Sequence, residues 1–186
     1  MTRDAFIVPL KRFDIAKDRL RSAGTTDVTA LAEELALGVL RSCAPRPVIV
    51  LSESDEISAF ARQNYAEVWF SGAEDLNQAV QGAYEGLRER FDRLFIAHGD
   101  LRIPYGLGQF EPDSQVTIVT DHHQQGTNVL VVPTGLAFRF AYGADSARRH
   151  QQEAERLGLT CRLVTDSPWR FDVDEPGDLE SRPHSI

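Results

Sequence analysis

The chain has 186 residues, 42% of them hydrophobic, two cysteines and a formal net charge of −8. That length suits one domain with a full core better than two. No apolar run approaches the roughly 20 residues of a membrane span, and the acidic balance excludes a global footprint for DNA or RNA. The N-terminus carries Arg3 and Asp4 and no apolar h-region. It does not read as a signal peptide, so a cytoplasmic location is expected. Cys43 and Cys161 form no C-x-x-C pair and read as small core residues in a reducing compartment.

Ala5-Phe6-Ile7-Val8-Pro9 is a short continuous apolar run, the pattern of a strand buried on both faces. Leu31, Leu35 and Val39 then recur at helical spacing beside Ala32, Ala36 and Leu40. Thr26 or Asp27 is expected to cap this helix, and Pro45 and Pro47 to end it. Residues 47–52 predict a second buried strand, 54–64 a short helix, and 66–70 a third strand. Leu76, Ala79, Val80, Ala83 and Leu87 form an amphipathic stripe, and 93–97 predict a fourth strand. This alternation implies an α/β fold with a mostly parallel sheet and right-handed crossovers. Residues 116–119, 128–132 and 136–140 are strand-like, with little helix between them. A helix from about Ser146 to Leu157 is closed by Gly158. Residues 161–164 and 171–174 predict late strands. The domain is expected to span 1–180, with 181–186 a flexible tail.

In parallel α/β sheets ligands gather at the carboxyl ends of the strands. The polar residues just past those ends are Lys11, Ser52, and His98 with Asp100. Asp172 and Asp174, two apart on the last strand, would share a face. Two such carboxylates repel unless a proton or cation lies between them. They read either as a solvated acidic turn or, with Asp100, as oxygen ligands for Mg²⁺. The loop after the first strand carries Lys11, Arg12, Lys17, Arg19 and Arg21, cations able to wrap a polyphosphate, although no glycine-rich P-loop is present. Gly126-Thr127-Asn128 is a turn or a close-approach ligand loop. His122 and His123 are adjacent, so their side chains are expected to point apart in a surface loop. Gly143 enters the helix bearing Ser146, Arg148, Arg149 and His150, either as an ordinary N-cap or as an anion site.

In order and placement these motifs resemble the guanylyltransferase family of coenzyme F420 biosynthesis. The similarity runs from Val8 to Leu179 and rests on V-P-L-K ending at Lys11, A-K-D-R-L at 16–20, D-L-N-Q-A at 75–79, G-T-N-V-L at 126–130, the Gly143 to His150 stretch and D-V-D-E-P at 172–176. Where the family usually reads A-D-L-P after the fourth strand, this chain reads Ala97-His98-Gly99-Asp100-Leu101-Arg102. The helix that normally follows looks deleted. The resemblance implies a Rossmann-like nucleotidyltransferase fold in which GMP passes from GTP to phosphoenolpyruvate or a related phospho-acid. It implies nucleotide contacts at Pro9, Lys11, Lys17, Arg19, Ser52 and Asn77, with Lys11, Lys17 and Arg19 serving catalysis. It implies metal ligands at Asp100, Asp172 and Asp174 for Mg²⁺, and acceptor contacts at Thr127, Gly143, Ser146 and His150. The partners expected are GTP and a small phosphorylated acid, with no nucleic acid or membrane; a homodimer is one compatible assembly. Two other readings fit the same residues: a non-catalytic relative acting as a binding partner, and a nucleotidyltransferase with another acceptor.

Overall fold

The computed structural model describes residues 2–70 and 72–180; the expected tail at 181–186 lies outside the described residues. The strands are β1 (Asp4–Pro9), β2 (Val48–Leu51), β3 (Glu67–Trp69), β4 (Arg93–Ala97), β5 (Val116–Thr120), β6 (Thr127–Pro133) and β7 (Cys161–Val164). The helices are α1 (Asp18–Ser22), α2 (Val28–Ser42), α3 (Asp55–Gln63), α4 (Leu76–Leu87), α5 (Ser146–Arg156) and α6 (Pro176–Glu180), with short 3₁₀ turns at Leu107–Gln109 and Pro168–Arg170. All seven strands form one sheet in the order β3-β2-β1-β4-β6-β5-β7. Every neighbouring pair is parallel except β4–β6 and β5–β6, so the sheet is mostly parallel and β6 is the reversed strand.

Both faces are covered, as continuous apolar strands require. Alternation along β1 sends Phe6 and Val8 to one face and Ala5 and Ile7 to the other. The first face packs on α2 and α3 through Ala36, Val39, Leu40, Ile57 and Phe60. The second packs on α4 and α5 through Val80, Ala83, Leu87, Ala147 and Ala154. Ser54 caps α3 by accepting from the Ile57 amide, and Asp75 caps α4 by accepting from the Gln78 amide at 2.9 Å. At α2 the expected cap is only half realised. Asp27 holds the N-cap position in a left-handed conformation, but its side chain makes no cap hydrogen bond.

Two expected strands are absent. Residues 136–140 join no sheet, because their backbone groups are taken by side chains of the helices they cross. The Phe140 amide donates to Gln81, the Arg139 amide to Glu153, and Arg156 donates to the Ala137 carbonyl. The alternation that suggested a strand instead buries Phe138 and Phe140 beside Tyr84. Residues 171–174 make a single antiparallel bridge, Leu101 to Asp172. They dock on the loop after β4, where the Arg102 amide donates to the Phe171 carbonyl and the Val173 amide to the Asp100 carbonyl. The segment expected to lack a helix does so. Residues 102–113 carry only the turn at Leu107–Gln109, with Gly106 at φ 86°.

Candidate active site

The carboxyl ends of β1, β2 and β4 point the same way because these strands are parallel. Reversed β6 begins at that same edge. Ala97 pairs with Val129, and the His98 amide donates to the Asn128 carbonyl at 2.9 Å. One edge therefore collects the loops after β1 and β4 and the first residues of β6. The bridge at Asp172 brings the C-terminal segment to the same place.

Lys17 lies at the centre. Its backbone is left-handed (φ 63°), a conformation that costs a non-glycine residue about 1 kcal/mol and needs surrounding structure to hold it. Its side chain is 7% exposed, and Nζ donates to Asp100 Oδ2 and, at 2.9 Å, to Asp174 Oδ1. Burial works against the ammonium, but Asp100 and Asp174 outweigh it and raise the Lys17 pKa. Burial likewise works against the Asp174 carboxylate, but Lys17 outweighs it and the net shift is downward. Asp172 has no such cation. Burial, then the charges of Asp100 and Asp174, push its pKa up. Its Oδ1 accepts from Asn128 Nδ2 at 3.2 Å, and the same nitrogen donates to the Trp169 carbonyl. Gly99 sits between His98 and Asp100, where a Cβ would overlap the Leu10 side chain.

The other expected nucleotide contacts lie at or past the ends of β1 and β2, apart from Asn77 in α4. Lys11 is exposed just past β1 and Pro9 is half-buried at the strand end. Arg19 pairs with Glu175 at 3.1 Å. Ser52 is buried at the end of β2 and its hydroxyl accepts from the Ser54 amide. Asn77 is engaged elsewhere. Its amide group donates to the Tyr142 carbonyl at 3.2 Å and accepts from the Tyr142 amide at 2.6 Å, which fixes the turn into Gly143 (φ 114°).

Thr127, Ser146 and His150 form one buried network. Ser146 Oγ donates to Thr127 Oγ1 at 3.1 Å, and His150 Nδ1 lies 3.1 Å from the same oxygen. His150 Nε2 accepts from the Ala141 amide at 3.0 Å, so the neutral ring carries its proton on Nδ1 and donates to Thr127. The Thr127 hydroxyl thus accepts two hydrogen bonds and keeps its own proton to give. Asp145, which would repel an anion here, turns out to solvent and pairs with Arg148.

His150 also predicts an acid response. Burial, followed by the charges of Arg149 and His98, lowers its pKa from 6.5 to about 4. Between those values the unfolded chain binds the proton more readily than the folded one. The stabilisation is therefore complete above pH 6.5 and is lost as pH falls towards 4. The gap corresponds to about 3 kcal/mol. Thermal melts from pH 7 to 4 should show a shallower decline for His150→Asn than for wild type; parallel curves would count against a neutral buried imidazole.

His122 and His123 do not point apart as expected. The turn is closed by Asp121, whose carbonyl accepts from the Gln124 amide and whose side chain accepts from the Gln125 amide. It folds the two rings together, with centroids 3.8 Å apart and His122 stacked on Phe171. With Arg19, Asp172, Asp174 and Asp178 they line a cavity of about 380 Å³. Asn128 and Tyr142 are contributors that spacing alone does not single out. Their position inside G-T-N and beside Gly143 was the available signal.

The family model described as "Guanylyl transferase CofC like" matches residues 4–181. A phosphoenolpyruvate guanylyltransferase of Sphaerobacter thermophilus is 29% identical over 187 residues, covering 94% of this chain and 89% of its own. Another, from Conexibacter woesei, is 31% identical over 192 residues, covering 94% and 85%. The solved structure of a nucleotidyl transferase from Methanothermobacter thermautotroptrophicus superposes with a TM-score of 0.66 at 14% identity, covering 96% of this chain and 94% of that one. Fold and family agree: the chain belongs to the CofC-like guanylyl transferases, as a single α/β unit of the Rossmann-like nucleotidyltransferase type.

Proposed function

We infer that the protein transfers GMP from GTP to phosphoenolpyruvate in coenzyme F420 biosynthesis, releasing pyrophosphate. A phosphate oxygen of the acceptor attacks the α-phosphorus of GTP. A new P–O–P linkage forms, the bond between the α-phosphorus and the α,β-bridging oxygen breaks, and the electron pair leaves with pyrophosphate. The observation that carries this reading is the buried Lys17 ammonium, held between Asp100 and Asp174 at the ligand edge of the sheet. Chemistry of this kind asks the protein for alignment and charge neutralisation rather than a covalent nucleophile. The exposed Lys11 in the loop after β1 and Arg19 in the first turn of α1 lie either side of Lys17 in sequence and suit the triphosphate. Pro9 and Ser52 would line the nucleotide side, with Asn77 acting through the Tyr142 turn. Thr127, with its hydroxyl proton left to give, suits an acceptor phosphate or carboxylate oxygen. Gly143, just before α5, would offer its backbone amide, while Ser146 and His150, both hydrogen-bonded to Thr127, position that hydroxyl.

The donor set fits a divalent cation. Asp100 Oδ1 is buried with no hydrogen-bond partner, and a ring nitrogen of His98 and one oxygen each of Asp100 and Asp172 lie within 4.8 Å of one another. Carboxylate oxygens suit magnesium, and Asp174 would support the same site through Lys17. When bound, such an ion would offset the negative charge of the polyphosphate. No helix among the described residues is long and apolar enough to cross a membrane.

The test is pyrophosphate release measured over four nucleoside triphosphates and several phospho-acids. Release should require GTP with phosphoenolpyruvate and a divalent cation. Preference for ATP, or release with no acceptor tested, would refute the assignment.

A further inference from the structure

The stretch in which this chain departs from A-D-L-P places an imidazole two residues before Asp100. His98 Nε2 is buried with no hydrogen-bond partner, as is Asp100 Oδ1. Buried polar atoms are nearly always satisfied, so each of these two atoms calls for a partner that the described residues do not supply. Asp100 divides its oxygens: Oδ2 accepts from Lys17 and Oδ1 is left over. Asp172 gives Oδ1 to Asn128. The His98, Asp100 and Asp172 ligand atoms lie within 4.8 Å of one another. Ligands about 2.1 Å from a common ion stand roughly 3 Å apart when cis and roughly 4.2 Å when trans, so rotamer-scale movement closes the set. Asp174 stands outside it, paired to Lys17.

We propose that His98 is a third ligand to the divalent cation, giving this chain a mixed nitrogen–oxygen site that holds manganese in preference to magnesium. The proposal rests on the cation site of the proposed function and deepens it. Magnesium favours an all-oxygen octahedron and gives up water reluctantly. An imidazole nitrogen gains more from a first-row transition ion. The His98 backbone is pinned by its hydrogen bond to the Asn128 carbonyl, and Asn128 also holds Asp172. One residue of β6 thus sets the spacing of two ligands.

Manganese is titrated into the full chain, alone and with a non-hydrolysable GTP analogue, and followed by electron paramagnetic resonance. Pulsed spectra of protein labelled with ¹⁵N-histidine should show a nitrogen coupling that changes with the isotope. His98→Ala should abolish that coupling and weaken manganese binding at least about tenfold, the range seen when even a supporting partner of a ligand is lost. Magnesium affinity, read by competition, should change less than about twofold. Manganese bound without histidine coupling would overturn the role of His98 while leaving the cation site standing. Failure to bind manganese in either arm would overturn both. His122 and His123 line the same cavity, so the coupling should persist in a His122→Ala, His123→Ala double variant and be lost in His98→Asn, the second variant should His98→Ala fold poorly; a coupling lost with His122 and His123 instead would overturn the role of His98.

Discussion

Asp172→Asn is expected to lower guanylyl transfer by about 10²–10³, the scale of losing one preorganised electrostatic group at a reacting phosphate, without lowering the melting temperature. The two effects share a cause. Burial and the charges of Asp100 and Asp174 already raise the Asp172 pKa, so the ionised carboxylate is held at a cost to folding. Asparagine removes the charge and keeps an oxygen for the Asn128 amide, which now donates to Oδ1 at 3.2 Å. A site arranged for function in this way gains stability when it is disarmed. Turnover with GTP and phosphoenolpyruvate, measured beside a thermal melt, checks both halves. A wild-type rate would reduce the residue to a solvated turn, and a large fall in melting temperature would show that its charge supports the fold.

Gly108→Ala is expected to be the most damaging single methyl in the chain, costing about 3 kcal/mol. For a chain of this size that is a fall of roughly 6–12 °C in melting temperature. A Cβ at this buried position would overlap the carbonyl oxygens of Cys43 and Ala44, which are backbone and have nowhere to go. The contact is clamped from both sides. Arg46 donates to the Gly108 carbonyl at 2.6 Å, and Gln109 donates to the Ala44 carbonyl at 2.9 Å. Gly82→Ala in α4 is the matched control, since no atom lies within 4 Å of its added methyl and alanine favours a helix interior. Equal melting temperatures for the two variants would mean that the 107–109 turn can lift away from α2 without penalty.

Much of this architecture is legible in the chain itself. The apolar runs ending at Pro9 and Ala97 and the stripe from Leu76 to Leu87 become β1, β4 and α4, because continuous apolar strands and helical spacing each admit few alternatives. The rule that ligands collect past strand ends leads to the loop holding Asp100, which the fold sets against Lys17. It leaves the reversal of β6 unforeseen, since strand direction depends on partners far away in sequence. It also misses that 136–140 gives its hydrogen bonds to helix side chains, a choice made by Gln81, Glu153 and Arg156. Equal spacing suggested equal roles for Asp172 and Asp174, but Lys17 takes one of them and Asn128 the other. That division depends on a left-handed residue 157 positions upstream of Asp174, which no local pattern reveals.

The tight fit over Gly99 carries a consequence for motion. Leu10 lies against that glycine with no room for another atom, and Lys17 ties the far end of the same loop to Asp100. The segment after β1 is therefore joined to the segment after β4 at two points. Opening either segment away from the other would have to break the Lys17–Asp100 ion pair. An event that orders one of them lowers the entropic cost of ordering the other, and by linkage the favour is returned in equal measure. A polyphosphate gripping the first segment and a cation seated on the second would then arrive as thermodynamic allies, each tightening the hold on the other.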